Sequence, residues 1–167
     1  AACVHLCALA FERERSKARI RQLAFFDALT ALPNRSLLLA KAEQALAAAA
    51  RTGAPAAVVF IDLDRFKQIN DSLGHAAGDE LLCHVARQIT RDKRAVDIAG
   101  RLSGDEFVLV LPETDAEASA NVVERLQARI AQPHEVAGQR LTAAASCGIA
   151  LFPSDGVEIE TLLVRAD

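Results

Sequence analysis

The sequence predicts an α+β fold in which helices pack on a mainly antiparallel sheet. Three observations predict it. Apolar residues recur at helical spacing in three separate stretches, short β-forming runs alternate with them, and one pair of those runs is close enough along the chain to form a hairpin. The resulting order is helix, strand, helix, hairpin, helix, strand. At 167 residues, with 51% hydrophobic and 25% charged residues, the chain has the balance of one soluble globular domain with a sizeable core.

The elements follow in chain order. Residues 3-CVHLCALAF-11 fit a short strand or a helix start, and 12-ERERSKARIRQLAFF-26 is a charged helical pattern with Ile20 and Leu23 on one side. Residues 1–24 thus read as a helical connector, and 25–167 as the compact domain. Pro33-Asn34 punctuates 27-DALTALPNRS-36; Leu37, Leu38, Ala42, Ala45, Leu46 and Ala49 then keep helical spacing up to Gly53-Ala54-Pro55. Ala56 to Ile61 is a buried strand, rich in Val, that runs into Asp62-Leu63-Asp64 and predicts a helix beyond. Leu81, Leu82, Val85, Ala86 and Ile89 mark the next amphipathic helix. Ala95 to Leu111 predicts the hairpin, turning at Gly104-Asp105. Val122, Val123, Leu126 and Ile130 give a further helix, and 140-RLTAAASCGIALFP-153 reads as one long strand.

Composition narrows the function. A net charge of −3, with Lys and Arg scattered, supplies no basic field for a nucleic-acid backbone. The four cysteines, Cys3, Cys7, Cys83 and Cys147, form no CxxC pair, and the last two sit in apolar patterns that suit reduced thiols, so a cytoplasmic setting is expected. No 18-residue apolar run or signal peptide is present, which places any membrane anchor outside this stretch. The chain contains no methionine and is expected to be a piece of a longer protein.

The chemistry is concentrated in 60-FIDLDRFKQINDSLGHAAGDELL-82 and 101-RLSGDEF-107. Residues two apart in a strand share a face, so Asp62 and Asp64 point one way and Leu63 the other. A solvated strand end is the plain alternative. A hard divalent cation, which takes carboxylate oxygens together with substrate phosphates, gives the pair a use. The backbone amides of Phe66 and Lys67 would then face those phosphates at a helix start, with the Lys67 ammonium beside them. If the strand ending at Asp62 neighbours the hairpin turning at Asp105, three or four carboxylates converge, as metal-assisted phosphoryl transfer requires.

Four motifs, 27-DALTALPNR-35, 60-FIDLDRFKQINDSLGHAAGDELL-82, 101-RLSGDEF-107 and 146-SCGIALFPSDG-156, together resemble the GGDEF domain family, the diguanylate cyclases, in order and spacing. The resemblance covers about residues 25 to 167. It implies a ferredoxin-like, nucleotidyl-cyclase-type βααββαβ core and condensation of two GTP into cyclic di-GMP with release of pyrophosphate. It implies Mg²⁺ (or Mn²⁺) on Asp62, Asp105 and the carbonyl of Leu63, with Glu106 as base or second metal contact. It further implies guanine contacts from Asn70 and Asp79, a substrate-side role for His75, Phe66 and Gly104 against the nucleotide, and Lys67 on phosphate or the transition state. The implied assembly is a homodimer, one GTP per subunit, driven by an upstream sensory module.

Three departures from the family pattern stand out. Ser103 replaces the first glycine of the signature, where a positive φ would strain it; Ala31 replaces a glycine far from the expected chemistry; and the chain stops at 161-TLLVRAD-167, where the family continues into a helix carrying basic residues. These keep an alternative open: a catalytically weak or inactive regulatory module that binds GTP or cyclic di-GMP and controls an attached domain. The pair in 94-RAVD-97 is read by itself as an ordinary surface pair. Its place five residues before the signature resembles the family's RxxD inhibitory site, which implies that Arg94 and Asp97 bind the product. No structural need for a charged pair is legible there.

Overall fold

The computed structural model describes residues 24–167 and, ahead of them, positions 13, 15, 17, 20 and 22, which are helical. The reading of 3–11 and most of the expected connector lie outside the described residues. The elements are α1 (Arg35–Thr52), β1 (Ala56–Leu63), α2 (Phe66–Leu73), α3 (His75–Arg91), β2 (Ile98–Ser103), β3 (Glu106–Pro112), α4 (Ala116–Ile130), β4 (His134–Val136), β5 (Gln139–Leu141), β6 (Ala145–Phe152) and α5 (Ile159–Ala166). The main sheet runs β2-β3-β1-β6, antiparallel at every pairing, and β4 with β5 forms a separate ribbon. This is the predicted α+β architecture, and from β1 to β6 it follows the βααββαβ order with the ribbon inserted.

Helices cover both faces of the sheet, and this explains why β1 is apolar at nearly every position. Ala57, Val59, Ile61 and Leu63 pack with Phe107, Leu109 and Leu111 against Leu81, Val85, Ile89, Leu126 and Ile130 of α3 and α4. Val58 and Phe60 pack with Val108, Val110 and Phe152 against Leu38 and Leu46 of α1 and Ile159 and Leu162 of α5. Strand alternation therefore assigns Asp62 and Glu106 to the α1–α5 side. A one-residue slip would drive Asp62 into the α3–α4 core and turn buried Leu63 outward. The apolar residues upstream thereby hold the carboxylate in place.

The helix ends have local causes. Asn34 caps α1, its side chain accepting from the Leu37 amide at 3.1 Å, and Gly53 closes that helix at φ 71. Asp115 caps α4 through the Ala118 amide at 2.8 Å. The two helices of the βααββαβ order between β1 and the hairpin are α2 and α3, divided at Gly74, which is at φ 88. One expectation needs correction. The expected single strand 140–153 is broken. Ala137 and Gly138, both at positive φ, turn β4 into β5, and β6 begins only at Ala145, beside Leu63.

Candidate metal and nucleotide site

β1 delivers Asp62 between two strands, opposite Glu106 of β3 and Ser146 of β6. Directly opposed residues share a face with their Cβ atoms about 5 Å apart. Asp105 stands in the two-residue loop between Ser103 and Glu106, where Gly104 supplies the positive φ of 43 that such a turn requires at its first position. Asp62 feels this crowding. Burial first, then the charges of Asp105, Glu106, Asp64 and Asp167, push its carboxyl above the ordinary value. Asp167 belongs to this group because the end of α5 crosses β6 at Gly148, where any Cβ would meet the carbonyl oxygen of Ala166 at 1.7 Å. Sequence reasoning missed Asp167; nothing local in the sequence signals it.

These oxygen donors and their uncompensated charge fit a hard divalent cation. Among the described residues no three of His, Cys, Asp or Glu close into a ready-made metal cage. Mg²⁺ is commonly held by one or two carboxylates with the remaining ligands from water and phosphate. The Leu63 side chain is buried in the core, so a ligand has only its backbone carbonyl to use. Asp64 is held by the Ser146 hydroxyl at 2.7 Å.

The condition for strain at Ser103 is not met: Ser103 is not among the positive-φ residues, and its hydroxyl donates to the Glu106 carboxylate. The strained substitution is Ala31, at φ 59, in the N-terminal motif 27-DALTALPNR-35. An L-residue there costs about 1 kcal/mol or more.

α2 starts at Arg65, itself at φ 59, without a capping side chain and without an acidic residue in its first turn. The amides of Phe66 and Lys67 therefore head an uncapped helix, and the Lys67 side chain is exposed. Asn70 near the end of α2, and His75 and Asp79 at the start of α3, surround the joint at Gly74. His75 and Asp79 are exposed, whereas Asn70 is half-buried, with its Oδ1 enclosed and lacking a hydrogen-bond partner.

Two of the motifs are joined by a contact that the sequence reading did not connect. Arg101 Nη1 reaches both carboxylate oxygens of Asp27, at 3.0 and 3.2 Å, while its Nε and Nη2 donate to the Gly104 carbonyl at 2.9 and 2.6 Å. Burial alone would raise the Asp27 pKa. The Thr30 hydroxyl and amide, together with Arg101, outweigh it and leave Asp27 below its ordinary value.

Arg94 and Asp97 lie at the other end of the β2–β3 hairpin, about 20 Å from its turn at 3.3 Å per residue. They also have a structural task, correcting the expectation that none existed. Asp97 is 6% exposed and accepts from the Arg94 amide (2.8 Å) and Nε (2.9 Å); Arg94 Nη2 also donates to the Pro112 carbonyl and Thr114 Oγ1, both at 2.9 Å. A cavity of about 330 Å³ opens beside the pair, lined by Asn121, Arg125 and Arg129 as well. Arg125 was missed; its i,i+4 spacing to Arg129 on α4 was the available signal. At the carboxylate edge Asp62, Asp105 and Glu106 are half-buried, and cavities of about 620 and 590 Å³ border it, the first beside Ser103 and Gly104 and the second beside Asp64 and Arg65.

A family profile described as "Diguanylate cyclase, GGDEF domain" matches residues 24–167. The chain is 43% identical over 159 residues to the bifunctional diguanylate cyclase/cyclic di-GMP phosphodiesterase MucR of Pseudomonas aeruginosa, a match covering 95% of this chain and 23% of MucR. The chain thus spans about a quarter of that curated relative. A sensory box/GGDEF family protein from Caulobacter crescentus superposes with a TM-score of 0.80 at 40% identity, covering 85% of this chain and 92% of that one. The coiled coil and GGDEF domain of DgcB from the same organism, solved in complex with c-di-GMP, gives a TM-score of 0.85 at 26% identity, over 99% of this chain and 89% of that one.

Proposed function

Because this chain belongs to the GGDEF family of diguanylate cyclases, we propose that it condenses two GTP into cyclic di-GMP, releasing two pyrophosphates, with one GTP held by each of two subunits. The observation that carries the reading is the raised Asp62 carboxyl, opposed in register to Glu106 and crowded by Asp105 at the hairpin tip. Asp62, Asp105 and the Leu63 carbonyl would hold Mg²⁺ or Mn²⁺, which when bound would offset triphosphate charge and make a ribose hydroxyl a better nucleophile. Glu106, steadied by Ser103, takes the hydroxyl proton or adds a metal contact. The uncapped start of α2 and Lys67 receive the phosphates, and Gly104 leaves the hairpin tip without a side chain to block them. Asn70 and Asp79 read the guanine edge, with His75 beside them. Each 3′ oxygen attacks the α-phosphorus of the other nucleotide, and each pyrophosphate leaves with the electrons of the broken P–O bond.

With one GTP held on the carboxylate edge of each copy, condensation requires two copies to face each other. Arg94 and Asp97, with the cavity beside them, are proposed to take the cyclic product; Arg94 must then exchange its Pro112 and Thr114 contacts for the ligand. The piece before residue 25 serves as the connector to an upstream sensor. Incubation with GTP and Mg²⁺ followed by chromatography tests the activity: cyclic di-GMP and pyrophosphate in a 1:2 ratio are expected, and none from ATP. GTP bound but never converted would replace this reading with that of a regulatory module.

A further inference from the structure

Gly78 lies in the first turn of α3, buried, one residue before Asp79. A Cβ built there would stand 1.9 Å from Asn70 Oδ1 and 2.9 Å from Asn70 Cγ. The same Oδ1 is buried with no hydrogen-bond partner. A helix interior ordinarily disfavours glycine relative to alanine by about 0.5–1 kcal/mol, so the helix has no need of its own for glycine here. Oδ1 is thus enclosed against the space a Gly78 side chain would fill, and Nδ2 is the half of the amide left for a ligand.

From these two observations we infer that Gly78 is a positioning residue for base recognition: lacking a side chain, it seats the Asn70 amide so that Nδ2 is offered as a donor beside the acceptor Asp79. This rests on the reading of Asn70 and Asp79 as the guanine site and extends it to a residue that would touch no ligand. A donor and an acceptor held side by side suit guanine, whose edge combines N–H donors with ring-nitrogen and carbonyl acceptors. On the edge where guanine presents N2–H beside N3, adenine offers N3 alone and leaves Asp79 unpaired; its own N6–H donor lies on another edge.

Gly78→Ala separates this role from a structural one. The nearest obstacle to the new methyl is the tip of a flexible side chain, with Phe66 Cζ next at 3.2 Å, so Asn70 gives way and the helix stays intact. The melting temperature is expected to hold or rise, while the Kd for GTP measured by calorimetry rises about tenfold or more and that for ATP stays put. In an Asn70→Ala background, Gly78→Ala should change GTP affinity no further, because the residue through which it acts is gone. A Gly78→Ala chain that binds GTP like wild type, or whose loss is undiminished in the Asn70→Ala background, overturns the inference while leaving the guanine site in place. Wild type that binds GTP and ATP equally overturns the guanine reading itself, and the inference with it.

Discussion

At the residue scale, Asp62 is held in a position that the fold alone does not favour. Its carboxyl is raised because burial and four neighbouring carboxylates oppose its charge. A raised carboxyl weakens the folded state above its folded-state pKa, and protonation relieves that penalty as pH falls through it. Asp62→Asn removes the charge and keeps the shape, so it is predicted to raise the melting temperature by a few degrees at neutral pH while abolishing Mg²⁺-dependent turnover. Thermal melts paired with a turnover assay check this; a destabilised variant would count against the crowding. Ala31 gives the opposite kind of test. At φ 59 it carries strain that glycine would relieve, and Ala31→Gly is predicted to stabilise the chain by up to about 1 kcal/mol in denaturant titration. The sequence showed both departures from the family's glycines. Whether φ is positive depends on how the chain closes around them, which motif spacing does not reveal: Ala31 takes the positive φ and Ser103 does not.

At the element scale, the strands and helices were legible wherever burial was periodic. β1, α1, α3, β3 and α4 fall where the apolar pattern put them because one or both of their faces enter a core. α2 was harder to read, since it buries no residue fully, and the β4–β5 ribbon was missed because its two-residue turn uses Ala137, an unusual choice at positive φ. That ribbon docks on α3 through His134, whose ring stacks on His84 with centroids 3.8 Å apart. Burial, together with the nearby His134 and Arg87, lowers the His84 pKa from 6.5 to about 4. Between those values the unfolded chain binds a proton at this site that the folded chain does not, so stability is lost as pH falls from about 6.5 towards 4. His84→Phe should flatten that part of the melting-temperature profile; an unchanged slope would show that other groups cause it. The RxxD loop belongs at this scale too. Arg94→Ala is predicted to weaken cyclic di-GMP binding by about tenfold or more in calorimetry. It should also cost about 1 kcal/mol of stability, because Asp97 stays buried with fewer partners. Unaltered affinity would reduce the pair to its structural task.

At the scale of the whole molecule, the chain arranges two sites at opposite ends of one hairpin: a carboxylate edge at the Gly104-Asp105 turn and a cavity rich in arginine at the strand ends near Arg94. Arg101 ties the turn to the segment around Asp27, bridging the Asp27 carboxylate and the Gly104 carbonyl. The candidate site was legible in outline because its residues cluster in motifs. What the sequence withheld were the contacts between distant segments: Arg101 on Asp27, the end of α5 carrying Asp167 to Asp62, and Gly78 beneath Asn70. No helix among the described residues is long and apolar enough to cross a membrane.

If an Asp62–Asp105 metal site works only when two copies face each other, the rate of cyclic di-GMP formation depends on chain concentration. With GTP and Mg²⁺ saturating, the rate per chain is predicted to rise in proportion to chain concentration at the dilute end and to level off once pairs dominate. Asp105→Ala should give a flat line at background throughout. A rate per chain independent of concentration down to nanomolar levels, or an Asp105→Ala chain with near-normal turnover, would contradict the account.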